Sequence, residues 1–527
     1  MRTLGRYLVQ ALESAGVRHV FGIPGMHNLE LYRGLHGASL RHVTGRHEQG
    51  LGFMADGYAR VSGRPGVCFT ISGPGVSNIA TAIGQAYGDS IPILVIASQN
   101  RPGEAGSGRG FLHELLDQRG LAAALTGASY AIADPDELPG ALTQAFSLFA
   151  AARPRPVYIE IPLNLLAADA AALALPGRPA KAPTADPIAL TAAAQQLRAA
   201  ARPVVLAGGG AVRAATELRQ LVELLGAPLV MTSNGRGLLP PEHPLAVPMS
   251  PSLAPVRALI AGADLVLAVG TEIGPTDFDM YGLSEFPPPP NLIRIDIDAA
   301  QLRRNAPARL GLQGDSAATL RALLRLDLET PRPQRGEAAA AAARTGALAT
   351  LAPAMRTQLQ LLELIRDALP RALLVGDSTQ MVYAGLLAFA AATPGSWFNS
   401  ATGYGTLGYA LPASTGAGLA APDRPVVCLV GDGGLQFSLG ELAVLREVDA
   451  WTAIIIWNNR GFGEIRSAML AAQIQPEGVD VQPPDFALLA AAYGYRHQLI
   501  ETADALELAL REFASRRQVL VLELASD

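Results

Sequence analysis

Short apolar runs recur along the chain at the intervals that a parallel sheet with helices on its faces requires. VCFTI (Val67–Ile71) and ILVIAS (Ile93–Ser98) flank SNIATAIGQAYGD, whose apolar positions fall at helical spacing. The same grammar returns in PVVLAGGG, PLVMT, DLVLAVGTE and LIRIDID, and again in ALLVGDS, PVVCLVGDG, AIIIWNN and VLVLEL. Unbroken apolar runs of this length read as strands covered on both faces, and strands alternating with helices build doubly wound α/β layers. Two stretches break the rhythm, Leu166–Pro187 and Glu329–Ala354, both rich in alanine and proline and without a sustained period. Read as linkers, they divide the chain into three doubly wound parallel-sheet α/β domains at residues 1–168, 188–328 and 355–527.

Composition narrows the function classes. At 527 residues the chain exceeds what one hydrophobic core sustains, in keeping with three domains. A formal net charge of -5 leaves no basic excess to meet a phosphate backbone, which argues against nucleic acid as a partner. The start of the chain, MRTLGRYLVQALESAG, mixes charges with apolar residues at helical spacing and lacks the apolar block of a secretory signal. No run of about eighteen apolar residues offers a membrane span. Cys68 and Cys428 sit in apolar runs without CxxC spacing, so they read as buried thiols in a reducing compartment and not as metal ligands. A cytoplasmic protein with no membrane partner is the expectation.

The chemistry concentrates in the third block. From Gly431 the chain reads GDGGLQFSLGELAVLREVDAWTAIIIWNNRGFGEI. Leu439, Leu442, Leu445 and Val448 recur every three residues, which predicts a helix laid on the sheet, and Thr452–Trp457 predicts the next strand. Parallel neighbours point the same way, so Asp432 and the pair Asn458–Asn459 are expected side by side at one sheet edge. A carboxylate, an amide oxygen and loop carbonyls are hard oxygen donors suited to Mg²⁺, which completes its octahedron with diphosphate oxygens and water. Glycines around Asp432 let the backbone approach phosphate closely.

This strand–GDG–helix–strand–NN pattern resembles the metal-diphosphate motif of thiamin diphosphate enzymes. GRHEQGLGFMADGYARVSGRPGVCFTISGPGVSN (Gly45–Asn78) is similar to the pyrimidine-binding domain of the acetolactate synthase and 2-oxo acid decarboxylase superfamily, and the likeness spans the whole chain. The resemblance implies that Glu48 hydrogen-bonds N1′ of the aminopyrimidine and favours its imino tautomer. It implies a metal held by Asp432, Asn459 and Gly461, and a cofactor contacted by Pro24, Gly25, Asn78, Gly431, Gly433, Gly434, Phe462 and Gly463. GDSTQ matches a second diphosphate loop through Thr379 and Gln380. In GYGTLGYALP, Gly405 would offer its carbonyl to the 4′-amino group and Leu407 would wedge the cofactor into its bent shape. GYGTLG also fits GxGxxG, but it lacks the strand immediately before it and the acidic residue about twenty positions on, so it reads as a decoy. In this family the two cofactor ends bind different subunits, which implies a homodimer or homotetramer with active sites at the subunit interface.

For the substrate, a 2-oxo acid, the signals are finer. Met26 stands where benzoylformate-type decarboxylases have serine, their pocket histidine near Ile71 is missing, and the paired histidines of pyruvate-type decarboxylases are absent. The chain has His27, His113 and Glu464 instead. The stretches around these three are most similar to the 2-ketoarginine (5-guanidino-2-oxopentanoate) decarboxylases. A carboxylate at Glu464 suits a guanidinium tail, which favours a bidentate acidic partner, and His27 and His113 are candidate proton shuttles. In the middle block GGG (Gly208–Gly210) either cradles a phosphate or turns the chain, and a structural role is expected. The rival readings are an acetolactate synthase-like carboligase joining two 2-oxo acids and a nucleotide-binding α/β protein without catalysis.

Overall fold

The structure, a computed structural model, describes residues 2–280, 282, 286–328 and 335–525. Among these residues, eighteen strands form three six-stranded sheets. In the first sheet β1 (His19–Gly22), β2 (Arg41–Thr44), β3 (Gly66–Thr70), β4 (Ile93–Gln99), β5 (Ala128–Ala131) and β6 (Val157–Pro162) take the order β2-β1-β3-β4-β6-β5. The second joins β7 (Pro203–Ala207), β8 (Leu229–Met231), β9 (Ala246–Val247), β10 (Leu265–Val269), β11 (Leu292–Asp296) and β12 (Leu310–Gln313) as β12-β11-β10-β7-β8-β9. The third joins β13 (Leu373–Gly376), β14 (Trp397–Asn399), β15 (Val426–Gly431), β16 (Thr452–Asn458), β17 (Arg496–Ile500) and β18 (Val519–Ala525) as β14-β13-β15-β16-β18-β17. The central strands β3, β4, β7 and β10 are buried along their whole length, as their unbroken apolar runs require.

The chain packs as two compact units, Met1–Lys181 with Gly403–Leu499 and Arg516–Asp527, and Ala182–Thr402 with Ile500–Ser515. Within the first unit, the helix Glu48–Ser62 meets the helix Ala410–Ala420 backbone to backbone. A Cβ on Gly57 would overlap the Ala413 carbonyl, and one on Gly416 would overlap that of Met54. Beside this seam lies a buried ionic cluster. Arg60 bridges Asp56 at 2.6 Å and Asp89 at 2.7 Å, and the Tyr409 hydroxyl donates to Asp56. Both acids are almost fully buried, so each needs these partners to remain charged.

One sequence expectation is corrected. Residues 335–354 of the second connecting stretch are helical despite their weak apolar period: Arg335–Thr350 is a helix and Pro353 opens another, because alanine has the highest helix propensity. Residues 329–334 of that stretch lie outside the described residues. The helix expected through Leu439–Val448 is present, tight as far as Glu441 and α-helical over Leu442–Glu447, and the non-helical Ser438 sets it off from the short helix Asp432–Leu435. No helix among the described residues is long and apolar enough to cross a membrane. Cys68 and Cys428 are buried, and burial pushes the Cys68 thiol far up.

Candidate active site

Register brings the third-block motif together. β15 and β16 are parallel with Gly431 opposite Trp457, so Asp432 and Asn458–Asn459 leave the sheet at the same edge. Asp432 is 1% exposed, and its Oδ2 accepts the Gly461 N–H at 2.9 Å. Burial pushes its carboxyl up, against the pull of backbone N–H groups from Gly433, Gly461 and Asn459. The two asparagines divide their work. Asn458 donates to Glu523 at 2.7 Å and accepts the Arg460 N–H, whereas Asn459 packs on Gly463. The Phe462 ring lies so close to Gly433 that a Cβ there would sit 2.7 Å from it. Among the described residues no group of three or more histidine, cysteine or carboxylate side chains gathers to hold a metal. A cation at Asp432 would therefore take amide and carbonyl oxygens from its surroundings.

Glu48 opens its helix and is 8% exposed. Asn78, on the helix Pro74–Asp89, donates to Glu48 Oε2 at 2.9 Å, which brings these two expected cofactor contacts together. Pro24 and Gly25 lie in the loop after β1, where Asn28 accepts from Gly25 N at 2.8 Å and donates to the Ile23 carbonyl at 3.0 Å. That loop runs beside the one after β3, since Gly22 pairs with Phe69.

His27 and His113 meet across these loops, with ring centroids 4.8 Å apart and edge to face. His27 Nδ1 lies 2.7 Å from Ser72 Oγ. Burial, with His113 next, holds the His27 imidazole below its ordinary range and thus neutral at pH 7. His113 Nδ1 is buried without a hydrogen-bond partner and its backbone is left-handed, a strained residue packed against His27. Ser72 and Gln118 were not among the predicted residues. Ser72 N donates to Ser98 and Gly73 N to Gln118, which fixes the loop under both histidines. Their contacts span 26 and 45 positions, and no local sequence signal marks them.

Glu464 is exposed in the first turn of the helix Gly463–Ala471. Gly405 has φ +74 and open space where a side chain would stand, and Leu407 is half-buried, so neither is ordinary core. In the second unit Thr379 is the N-cap of the helix Gln380–Ala388 yet makes no side-chain capping bond, and Gln380 is half-buried at the end of the same loop. The Gly208–Gly210 turn lies against the backbone of Gly270, where a Cβ on Gly210 would come 2.9 Å from Gly270 Cα. Close packing of two loops accounts for these glycines.

The chain belongs to the thiamin diphosphate-dependent enzymes. Residues 2–121 match the thiamine pyrophosphate enzyme N-terminal TPP binding domain, 190–323 the central domain and 376–524 the C-terminal TPP binding domain. It is 48% identical to the probable 2-ketoarginine decarboxylase of Pseudomonas aeruginosa, over 99% of this chain and 94% of that protein. It is 32% identical to the large subunit of acetolactate synthase isozyme 1 of Escherichia coli (95% and 89%), and 30% to a probable acetolactate synthase large subunit of Methanocaldococcus jannaschii (99% and 91%).

Proposed function

We propose that the protein is a thiamin diphosphate- and magnesium-dependent decarboxylase that converts 5-guanidino-2-oxopentanoate to 4-guanidinobutanal and CO₂ without oxidation. The substrate rests on one observation, the 48% identity across 99% of the chain to a probable 2-ketoarginine decarboxylase. Asp432, Asn459 and the Gly461 carbonyl would hold Mg²⁺, because a buried carboxylate with amide and carbonyl oxygens is a donor set for a hard cation. Gly431, Gly433 and Gly434 would face the diphosphate with bare backbone. When bound, the cofactor supplies a nucleophilic thiazolium carbon and takes up the electrons that departing CO₂ leaves behind.

The chain's own groups do the rest. Glu48 exchanges a proton at N1′ of the pyrimidine, and Asn78 holds its carboxyl in orientation. Neutral His27, held by Ser72 and facing His113, would pass a proton at the substrate end. Glu464 would pair with the guanidinium. A homodimer or homotetramer with shared active sites is the proposed assembly. Exposed apolar side chains lie near both groups of site residues in sequence, with Met26, Leu112 and Leu116 close to the histidines and Phe437, Ile465 and Ile474 close to Asp432 and Glu464. Clusters of exposed apolar residues mark surfaces that associate.

A panel of 2-oxo acids assayed for CO₂ release with Mg²⁺ and thiamin diphosphate tests the proposal, with 2-ketoarginine expected to give the highest kcat/KM. Glu464→Gln should cut that value by about tenfold or more, the worth of one charge-assisted hydrogen bond, and leave small 2-oxo acids nearly unchanged. The second reading, a carboligase, is favoured by the acetolactate synthases among the relatives. Incubation with pyruvate alone separates the two, because accumulation of acetolactate would support ligation.

A further inference from the structure

Glu441 plays no part in the chemistry above, yet it reaches the residues immediately before Glu48. It is 2% exposed. Its Oε1 accepts the backbone N–H of His47 at 3.0 Å and of Arg46 at 3.1 Å, and Oε2 lies 3.2 Å from the same Arg46 nitrogen. These amides lead into the N-terminus of the helix Glu48–Ser62, where N–H groups lack intrahelical partners and the helix dipole is positive. The neighbouring sequence leaves room for the acid. A Cβ on Gly50 would overlap Glu441 Oε1, and one on Gly45 would lie 3.5 Å from Oε2. The Arg46 guanidinium turns to Glu447 instead, so backbone and not side chain satisfies Glu441.

We propose that Glu441 is a positioning residue: its carboxylate fixes the backbone of Arg46 and His47, and thereby the place from which Glu48 reaches the cofactor. The inference rests on the reading of Glu48 given above. Burial also pushes the Glu441 carboxyl up to about 7, among the titratable neighbours Arg46, His47 and Glu447. As pH falls through that value the group takes up a proton and becomes a weaker acceptor for the two amides.

The test compares the full-length protein with its Glu441→Ala, Glu441→Gln and Gly50→Ala variants. Gly50→Ala keeps the acid but displaces it, and alanine favours the helix intrinsically, so this variant carries the test even where Glu441→Ala folds poorly. In the cofactor-free protein, amide hydrogen exchange at residues 46 and 47 should quicken in Glu441→Ala and Gly50→Ala. In the parent the protection factor, the rate corrected for the intrinsic fall of exchange with pH, should drop as pH falls through about 7, a dependence that Glu441→Ala loses. With cofactor bound, kcat should fall about 10- to 100-fold, the cost of a misplaced group, while KM and the Kd for thiamin diphosphate move less than about threefold. Glu441→Gln, which keeps one acceptor oxygen, should recover part of the loss. Unchanged exchange, or parental kcat in Glu441→Ala and Gly50→Ala, overturns the inference. Full turnover in Glu48→Gln would instead overturn the reading of Glu48 and leave the exchange result standing.

Discussion

Replacing Glu48 with glutamine is expected to lower kcat for CO₂ release by about 10³-fold, within the range that general acid–base catalysis contributes. Glutamine fills the same volume, and its amide oxygen can still accept from Asn78, so the helix and its surroundings have no reason to move. What it lacks is a group that exchanges a proton at N1′. Binding of thiamin diphosphate and Mg²⁺ should stay within about threefold of the parent, because neither the metal donors nor the diphosphate cradle is touched. Isothermal titration for binding and a coupled CO₂ assay for turnover make the comparison. Parental turnover in this variant would refute the role given to Glu48.

Asp432→Ala should behave in the opposite way. The carboxylate would bind the cation and already accepts the Gly461 N–H, so its loss removes a metal donor and unfastens the loop that carries Asn459 and Gly461. Thiamin diphosphate affinity is expected to drop by at least about 100-fold, beyond the effect of changing a group that merely supports a ligand. Raised Mg²⁺ should restore part of it by mass action, and kcat at saturation should suffer less than the affinity. Unchanged affinity at low Mg²⁺ would contradict the assignment of the metal.

Much of this was legible in the chain because the sheets are parallel and buried. The runs at β3, β4, β10 and β15 announce themselves by apolar residues alone, and parallel direction places Asp432 beside Asn458–Asn459 without any structure. The pair's division of labour was not legible from the residues, since Glu523, which occupies Asn458, comes 65 positions later. Two of the shortest strands escaped too: β9 has two residues and β14 three, fewer than a period of two can reveal, whereas the equally short β8 was caught in the run PLVMT. Ser72, Gln118 and Glu441 went unseen for a different reason. Glu441 serves backbone amides 394 and 395 positions away, and a side chain that bonds to backbone imposes no residue type on its partner.

The most direct test of the account pairs Glu48→Gln and Asp432→Ala subunits in one dimer, purified through a different tag on each. If Glu48 of one copy serves the cofactor held by Asp432 of the other, the hybrid contains one intact site and one doubly altered site. At thiamin diphosphate and Mg²⁺ concentrations that fill the parental sites but not those of Asp432→Ala, it should then turn over 2-ketoarginine at about half the parental rate per dimer, although each altered homodimer is nearly inactive under these conditions. A hybrid no more active than the altered homodimers would contradict the shared site, because it would mean that both residues act within a single copy.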